Sequence, residues 1–161
     1  DDFGLGFGTS SGGKACVLCP AGRESTQNGT ISCASCEAGE TSQAGEPCNA
    51  CGPGTYTNTK ASEQCTSCSG GRYAAETGAV SCEGCAPGTA SAGGGTNCST
   101  CPPGKASEAA APRCAICEVG KFTPTNGSAI CQRCETAVGP AYTSSEGSAT
   151  CGLCRRGWFM A

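Results

Sequence analysis

Cys114-Ala115-Ile116-Cys117-Glu118-Val119-Gly120-Lys121-Phe122-Thr123-Pro124-Thr125-Asn126-Gly127-Ser128-Ala129-Ile130-Cys131-Gln132-Arg133-Cys134 holds one complete unit of a repeat that accounts for most of this chain. A Cys-x-x-Cys pair opens the unit, and a glycine stands three residues past its second cysteine. An aromatic residue follows two further on, then an Asn-Gly turn, and a second Cys-x-x-Cys pair closes it. Nine such pairs run from Cys16 to Cys154, and the segments between them hold 13, 11, 13, 13, 12, 12, 13 and 16 residues. A period this even marks a tandem-repeat architecture, to be settled before any other question of fold.

Composition says what holds the repeats together. Eighteen of 161 residues are cysteine, whereas aromatics make up 5% and charged residues 14%, a balance that belongs to disulfide scaffolds. So little Leu, Ile, Val and Phe cannot build a conventional hydrophobic core, and without cross-links such a composition is that of a disordered chain. An even number of regularly spaced cysteines points to an oxidising, extracellular or cell-surface setting. The expected fold is small and disulfide-rich: an elongated tandem array of short β-hairpin repeats, with little or no helix. The one helical candidate, residues 106–111, is too short to stand alone and is stopped by Pro112.

Within the period, two marks recur. Gly22, Gly39, Gly54, Gly71, Gly88, Gly104, Gly120 and Gly157 stand at the same offset from their cysteine pair, where a left-handed φ or a close backbone approach excludes a Cβ. Tyr56, Tyr73, Phe122 and Phe159 lie two residues beyond and are expected to cover an adjacent disulfide, while Glu24, Thr41, Ala90 and Ala106 take that place elsewhere. Four residues before the next pair comes Gly29, Gly78, Gly94, Gly127 or Gly147, with Gly45 one place later and Ala61 or Ala110 as alternatives. Asn28-Gly29 and Asn126-Gly127 are favoured hairpin turns. Strands of about three or four residues are too short for an independent sheet, so each hairpin leans on its cross-link and on the next repeat. Repeats that touch only their neighbours form a quasi-one-dimensional object.

The ends differ. Residues 1–15 form a Gly/Ser-rich leader in which Phe3, Leu5 and Phe7 alternate with glycine, a pattern able to add as a docking strand, with a neighbouring subunit as one target. Residues 16–154 carry the eight hairpin repeats. Residues 155–161 read as the start of a further repeat, which a longer polypeptide would complete, or as a docking tail. The eighth segment is the longest, with Gly139 five positions after Cys134, and calls for a bulge or a different first turn.

The run Cys117-x-x-Gly120-Lys121-Phe122 up to Cys131-x-x-Cys134, with Cys51-x-x-Gly54-Thr55-Tyr56 and Cys68-x-x-Gly71-Arg72-Tyr73, resembles the cysteine-rich repeats called ephrin-receptor-like. It is also similar to the first hairpin submodule of tumour-necrosis-factor-receptor repeats. The resemblance covers residues 16–159 and implies the pairs Cys19–Cys33, Cys36–Cys48, Cys51–Cys65, Cys68–Cys82, Cys85–Cys98, Cys101–Cys114, Cys117–Cys131 and Cys134–Cys151, leaving Cys16 and Cys154 to pair outside this set. An interleaved scheme, Cys16 with Cys33 and Cys19 with Cys36, is the alternative, and sequence alone does not choose. Several repeats lack the aromatic, and the second, two-disulfide submodule of the tumour-necrosis-factor-receptor pattern is absent. In the chain-entropy account each closed loop of about 15 residues contributes roughly 3 kcal/mol.

Other chemistries fit less well. Paired Cys-x-x-Cys motifs are within the spacing of four-cysteine zinc sites, but nine motifs do not divide into sets of two, so a multi-zinc protein is the minor alternative and no metal is expected. With no histidine there is no haem-attachment motif and no Ser/His/Asp triad, and no carboxylate pair stands out; the chain reads as a non-enzyme without cofactor. The net charge of -3 and the lack of a basic cluster argue against nucleic acid, and no membrane-spanning stretch is present. Asn28, Asn126 and, next to a cysteine, Asn97 head Asn-x-Ser/Thr acceptor sequences, so covalent glycans are expected. The reading is an extracellular structural protein: a rod-like spacer, or a subunit of a glycosylated surface appendage, coat or filament, partnered by copies of itself or by other extracellular structural proteins. Head-to-tail joining of Cys154 to Cys16 of the next copy is one route to such a polymer. The alternative is a receptor or surface-antigen ectodomain that binds a protein ligand.

Overall fold

A computed structural model describes residues 7–9, 16–27 and 30–154 of the chain. Eight disulfides each close one inter-pair segment, from Cys19–Cys33 to Cys134–Cys151, with Cα–Cα distances of 5.6 to 5.8 Å. Repeats are numbered one to eight by these disulfides. Every described sheet is a two-stranded antiparallel ribbon of strands consecutive in sequence.

The ribbons are shorter than the sequence implies. Sixteen of the strands hold two residues each, because pairing is confined to the neck of each loop. There the two residues after the signature glycine meet the two residues inside the closing Cys-x-x-Cys, as in Thr55 opposite Ser67 and Tyr56 opposite Thr66. The amide of the pair's second cysteine then donates to the signature glycine carbonyl of its own hairpin, Cys68 to Gly54 at 2.9 Å for example. Beyond the neck the loop leaves the ribbon and folds back on the preceding repeat, so the Asn-Gly turn does not extend a continuous hairpin.

At the N-terminal end, strand β1 (Phe7–Thr9) pairs antiparallel with β2 (Cys16–Leu18), Phe7 opposite Leu18 and Gly8 opposite Val17. The extended segment of the leader therefore lies on the first cysteine pair of its own chain. The rest of the leader and the tail 155–161, with Gly157 and Phe159, lie outside the described residues.

The chain divides into two compact units, residues 1–68 with 74–83, and residues 69–73 with 84–161. In both, sulfur takes the place of hydrocarbon at the centre. The second cysteine of every pair from Cys19 to Cys134 is buried, at no more than 2% exposure. Large apolar residues such as Ile31, Val119 and Ile130 stay on the surface. The main helical element, α1 (Cys134–Ala137), is a single turn in the long eighth segment. It takes up the surplus length, while Ala106, the first residue of the helical candidate, belongs to a strand, Lys105–Ala106, instead.

Candidate functional site: the repeat junction

In a chain built by repetition the candidate functional site is the surface on which one repeat meets the next. Each junction is made first by main-chain hydrogen bonds. In the first unit the signature amides of Gly22, Gly39 and Gly54 donate to the carbonyls of Ser42, Thr57 and Ala74, at 2.8 to 2.9 Å. In the second, Gly88, Gly104 and Gly120 do the same to Ser107, Thr123 and Ser144. A second bond runs the other way: within each unit the turn residue of a later repeat donates to the carbonyl of a buried cysteine, Gly45 to Cys19, Ala61 to Cys36 and Gly78 to Cys51 in the first, and Ala110 to Cys85, Gly127 to Cys101 and Gly147 to Cys117 in the second. Main-chain partners are indifferent to side-chain identity, so the junction survives wide variation in the loops.

Contact reaches further than the neighbouring repeat. The turn carbonyl of Ala61 in repeat three sits against Gly22 of repeat one, and that of Gly78 in repeat four against Gly39 of repeat two. In the second unit the Gly127 carbonyl lies against Gly88 and the Gly147 carbonyl against Gly104. A methyl group on any of these signature glycines would overlap the carbonyl oxygen. The expectation that repeats touch only their neighbours is thus corrected: at Gly22, Gly39, Gly71, Gly88 and Gly104 the signature glycine is the floor of a slot that receives a backbone carbonyl from two repeats on. Its left-handed φ, +80° at Gly104, aims the bare Cα into that slot.

A third feature of the junction went unread in the sequence. Three residues past the signature glycine stand Ser25, Ser42, Thr57, Ser91, Ser107 and Thr123, all buried, with Ala74 as the exception. The hydroxyls of Ser42, Ser107 and Thr123 donate back to the strand of the preceding repeat, to the Arg23, Thr89 and Lys105 carbonyls at 3.2, 3.0 and 3.4 Å, whereas those of Ser25 and Thr57 donate within their own loops to the Gln27 and Thr59 carbonyls. Thr123 in addition accepts the Gly104 amide at 2.9 Å. Such a buried hydroxyl keeps its partners, which is why a small polar residue suits the position. Its fixed offset from the glycine was the available signal.

The position two past the glycine covers sulfur, but that of the following repeat. Tyr56 packs on Cys68, Cys82 and Ala74; where the aromatic is missing, the Glu24 carboxylate accepts the Cys48 amide at 2.8 Å and the Thr41 hydroxyl lies 3.6 Å from the Cys65 sulfur. Phe122 is buried and Tyr73 half-buried.

Charge adds little. Glu37 and Lys60 form an exposed ion pair at 2.7 Å between repeats two and three, and Glu118 pairs with Lys121 at 2.7 Å. The Lys121 ammonium, hydrogen-bonded to Glu118 and adding its charge, holds that carboxyl below its ordinary range. Asn97 and Asn126 are exposed, Asn97 beside the bonded Cys98, and Asn28 lies outside the described residues. With sixteen cysteines in disulfides, Cys16 and Cys154 carry the free thiols, Cys16 exposed. Among the described residues no helix is long and apolar enough to cross a membrane.

No curated protein matches the chain. Residues 39–85, spanning repeats two to four, match the family model described as tyrosine-protein kinase ephrin type A/B receptor-like. Repeats one and five to seven, outside that stretch, carry the same glycine offset, disulfide closure and glycine-to-carbonyl junction bonds, so the likeness to ephrin-receptor-like cysteine-rich repeats extends beyond the matched residues.

Proposed function

We propose that the chain is a non-catalytic structural element outside the cell, a spacer or a subunit of a glycosylated coat, appendage or filament. The observation that carries this reading is the junction itself. It is built from main-chain bonds, bare glycines and small hydroxyls that recur along repeats one to seven with Ala74 the one replaced hydroxyl, which suits a part whose job is set by the number of copies. A ligand-binding ectodomain concentrates its energy in a few aromatic or Arg anchors. Here aromatics are 5% of the residues, and of the best placed Tyr56 packs on a disulfide and Phe122 is buried.

The partners on this reading are further copies of the chain or other extracellular structural proteins, with glycans at Asn126 and Asn28 and less readily at Asn97. Electron microscopy of native material tests it: ordered fibres, coats or repeated stalks are expected. Isolated molecules that saturably bind one soluble protein through two or three repeats would replace it with the receptor reading.

A further inference from the structure

Repeat eight receives the junction from repeat seven as the others do, yet it does not pass it on. On the incoming side Gly147 donates to the Cys117 carbonyl at 2.8 Å, Gly120 donates to the Ser144 carbonyl at 3.1 Å, and the Ser144 hydroxyl donates to the Lys121 carbonyl at 2.7 Å. On the outgoing side the chemistry changes. The Cys101 and Cys117 carbonyls accept the turn amide of the next repeat, but the Cys134 carbonyl accepts Val138 and Gly139 at 2.9 and 3.1 Å, both from the end of α1. Two donors use both lone pairs of a carbonyl oxygen, so a turn amide from a following hairpin finds no acceptor there.

The slot is altered as well. Strand register, Tyr142 opposite Leu153, and the bond from the Cys154 amide to the Ala141 carbonyl put Ala141 at the signature-glycine position. A methyl group thus stands where the earlier repeats present bare Cα. Nor does Ala141 take the left-handed φ of its counterparts; outside glycine, only Ala61 and Ala110 do so among the described residues. Removing Glu135 to Val138 and placing glycine at 141 would make the segment begin Cys-Gly-Pro-Gly-Tyr, in the pattern of Cys51-Gly52-Pro53-Gly54-Thr55. Repeat eight is an ordinary repeat with four residues inserted and its slot filled.

We infer that repeat eight is a terminator of the main-chain ladder: a hairpin begun at Cys154 starts a new register instead of stacking on repeat eight. Terminal repeats that present a closed face are how repeat arrays avoid open-ended stacking. This inference stands on geometry alone and holds whether the molecule is a spacer or a receptor.

The test extends the full chain by replacing residues 155–161 with a copy of residues 52–83, so that Cys154 opens two further hairpins. A second version also lacks Glu135 to Val138 and carries Ala141→Gly. Disulfide mapping by mass spectrometry first establishes that the added hairpins are closed, and amide hydrogen exchange is then read at their turns. In the native background the first added turn amide exchanges as an open amide; in the second version it slows by at least about 100-fold, as for a bonded junction amide. Protection in the native background overturns the inference. Exchange without protection in both versions overturns it too, since α1 and Ala141 would then not be what stops the ladder.

Discussion

Two substitutions that are identical in chemistry and in backbone geometry separate the two reasons for a signature glycine. Gly104 and Gly120 have φ of +80° and +78°, so alanine at either carries the same left-handed penalty of about 1–2 kcal/mol. They differ in what the new methyl meets. At Gly104 it overlaps the Gly147 carbonyl, whereas at Gly120 nothing described lies within 4 Å. Overpacking against a backbone that cannot step aside adds about 1–3 kcal/mol, and it falls on the turn at residues 145–148. Hydrogen exchange of the oxidised protein reads this locally: the Gly147 amide, bonded to the Cys117 carbonyl, is expected to exchange about 5- to 150-fold faster in Gly104→Ala than in Gly120→Ala. Equal rates in the two variants would refute the slot, leaving φ as the sole demand on the glycine.

Four further outcomes follow from the same geometry. Ala61 and Ala110 hold φ of +56° and +54° at turns where other repeats have glycine, so Ala61→Gly and Ala110→Gly are each expected to stabilise by about 0.5–1 kcal/mol in denaturant titration. Thr123→Val keeps the shape but removes one of the two acceptors of the Gly104 amide, the Thr123 carbonyl remaining, and the donor to Lys105; a loss of about 0.5–1.5 kcal/mol in denaturant titration is expected, with Thr123→Ser close to native. Lys121→Met raises the Glu118 carboxyl towards its ordinary value in an NMR titration. A carboxyl lowered in the folded state favours folding above its unfolded pKa and loses that contribution as pH falls through its folded pKa, but this pair is exposed, so acid stability should not move measurably. Asn126→Gln removes one glycan mass from protein made in a secretory pathway and leaves disulfide formation unchanged.

Much of the fold was legible because cysteine spacing is a length restraint written directly in the sequence. Even loops between Cys-x-x-Cys pairs, each with its own glycine, implied a disulfide-rich array of hairpins, and the scarcity of Leu, Ile, Val and Phe implied a sulfur core. The contact of Gly22 with Ala61 was not legible, because repeat spacing carries no information on how far each repeat is rotated against the last. For the same reason the target of the Tyr56 ring, a disulfide of the following repeat, was open until the stacking was known. The buried hydroxyl series from Ser25 to Thr123 was hidden by composition: in a chain rich in Ser and Thr, six in register look like background. The eighth segment announced surplus length, but only strand register shows that Ala141, not Gly139, holds the signature place.

The disulfides sit at the necks of the loops, and only two residues separate one neck from the next. The shortest covalent route from Cys19 to Cys151 therefore crosses eight sulfur bridges and seven short links such as Ala34-Ser35, about 120 Å when drawn taut. None of the loop residues lies on that route. A protease that cuts between Gln43 and Glu46, or anywhere else within a loop, severs the peptide chain but not the molecule, whose two ends stay joined through sulfur. Among the described residues, continuity is vulnerable to proteolysis only inside the Cys-x-x-Cys pairs.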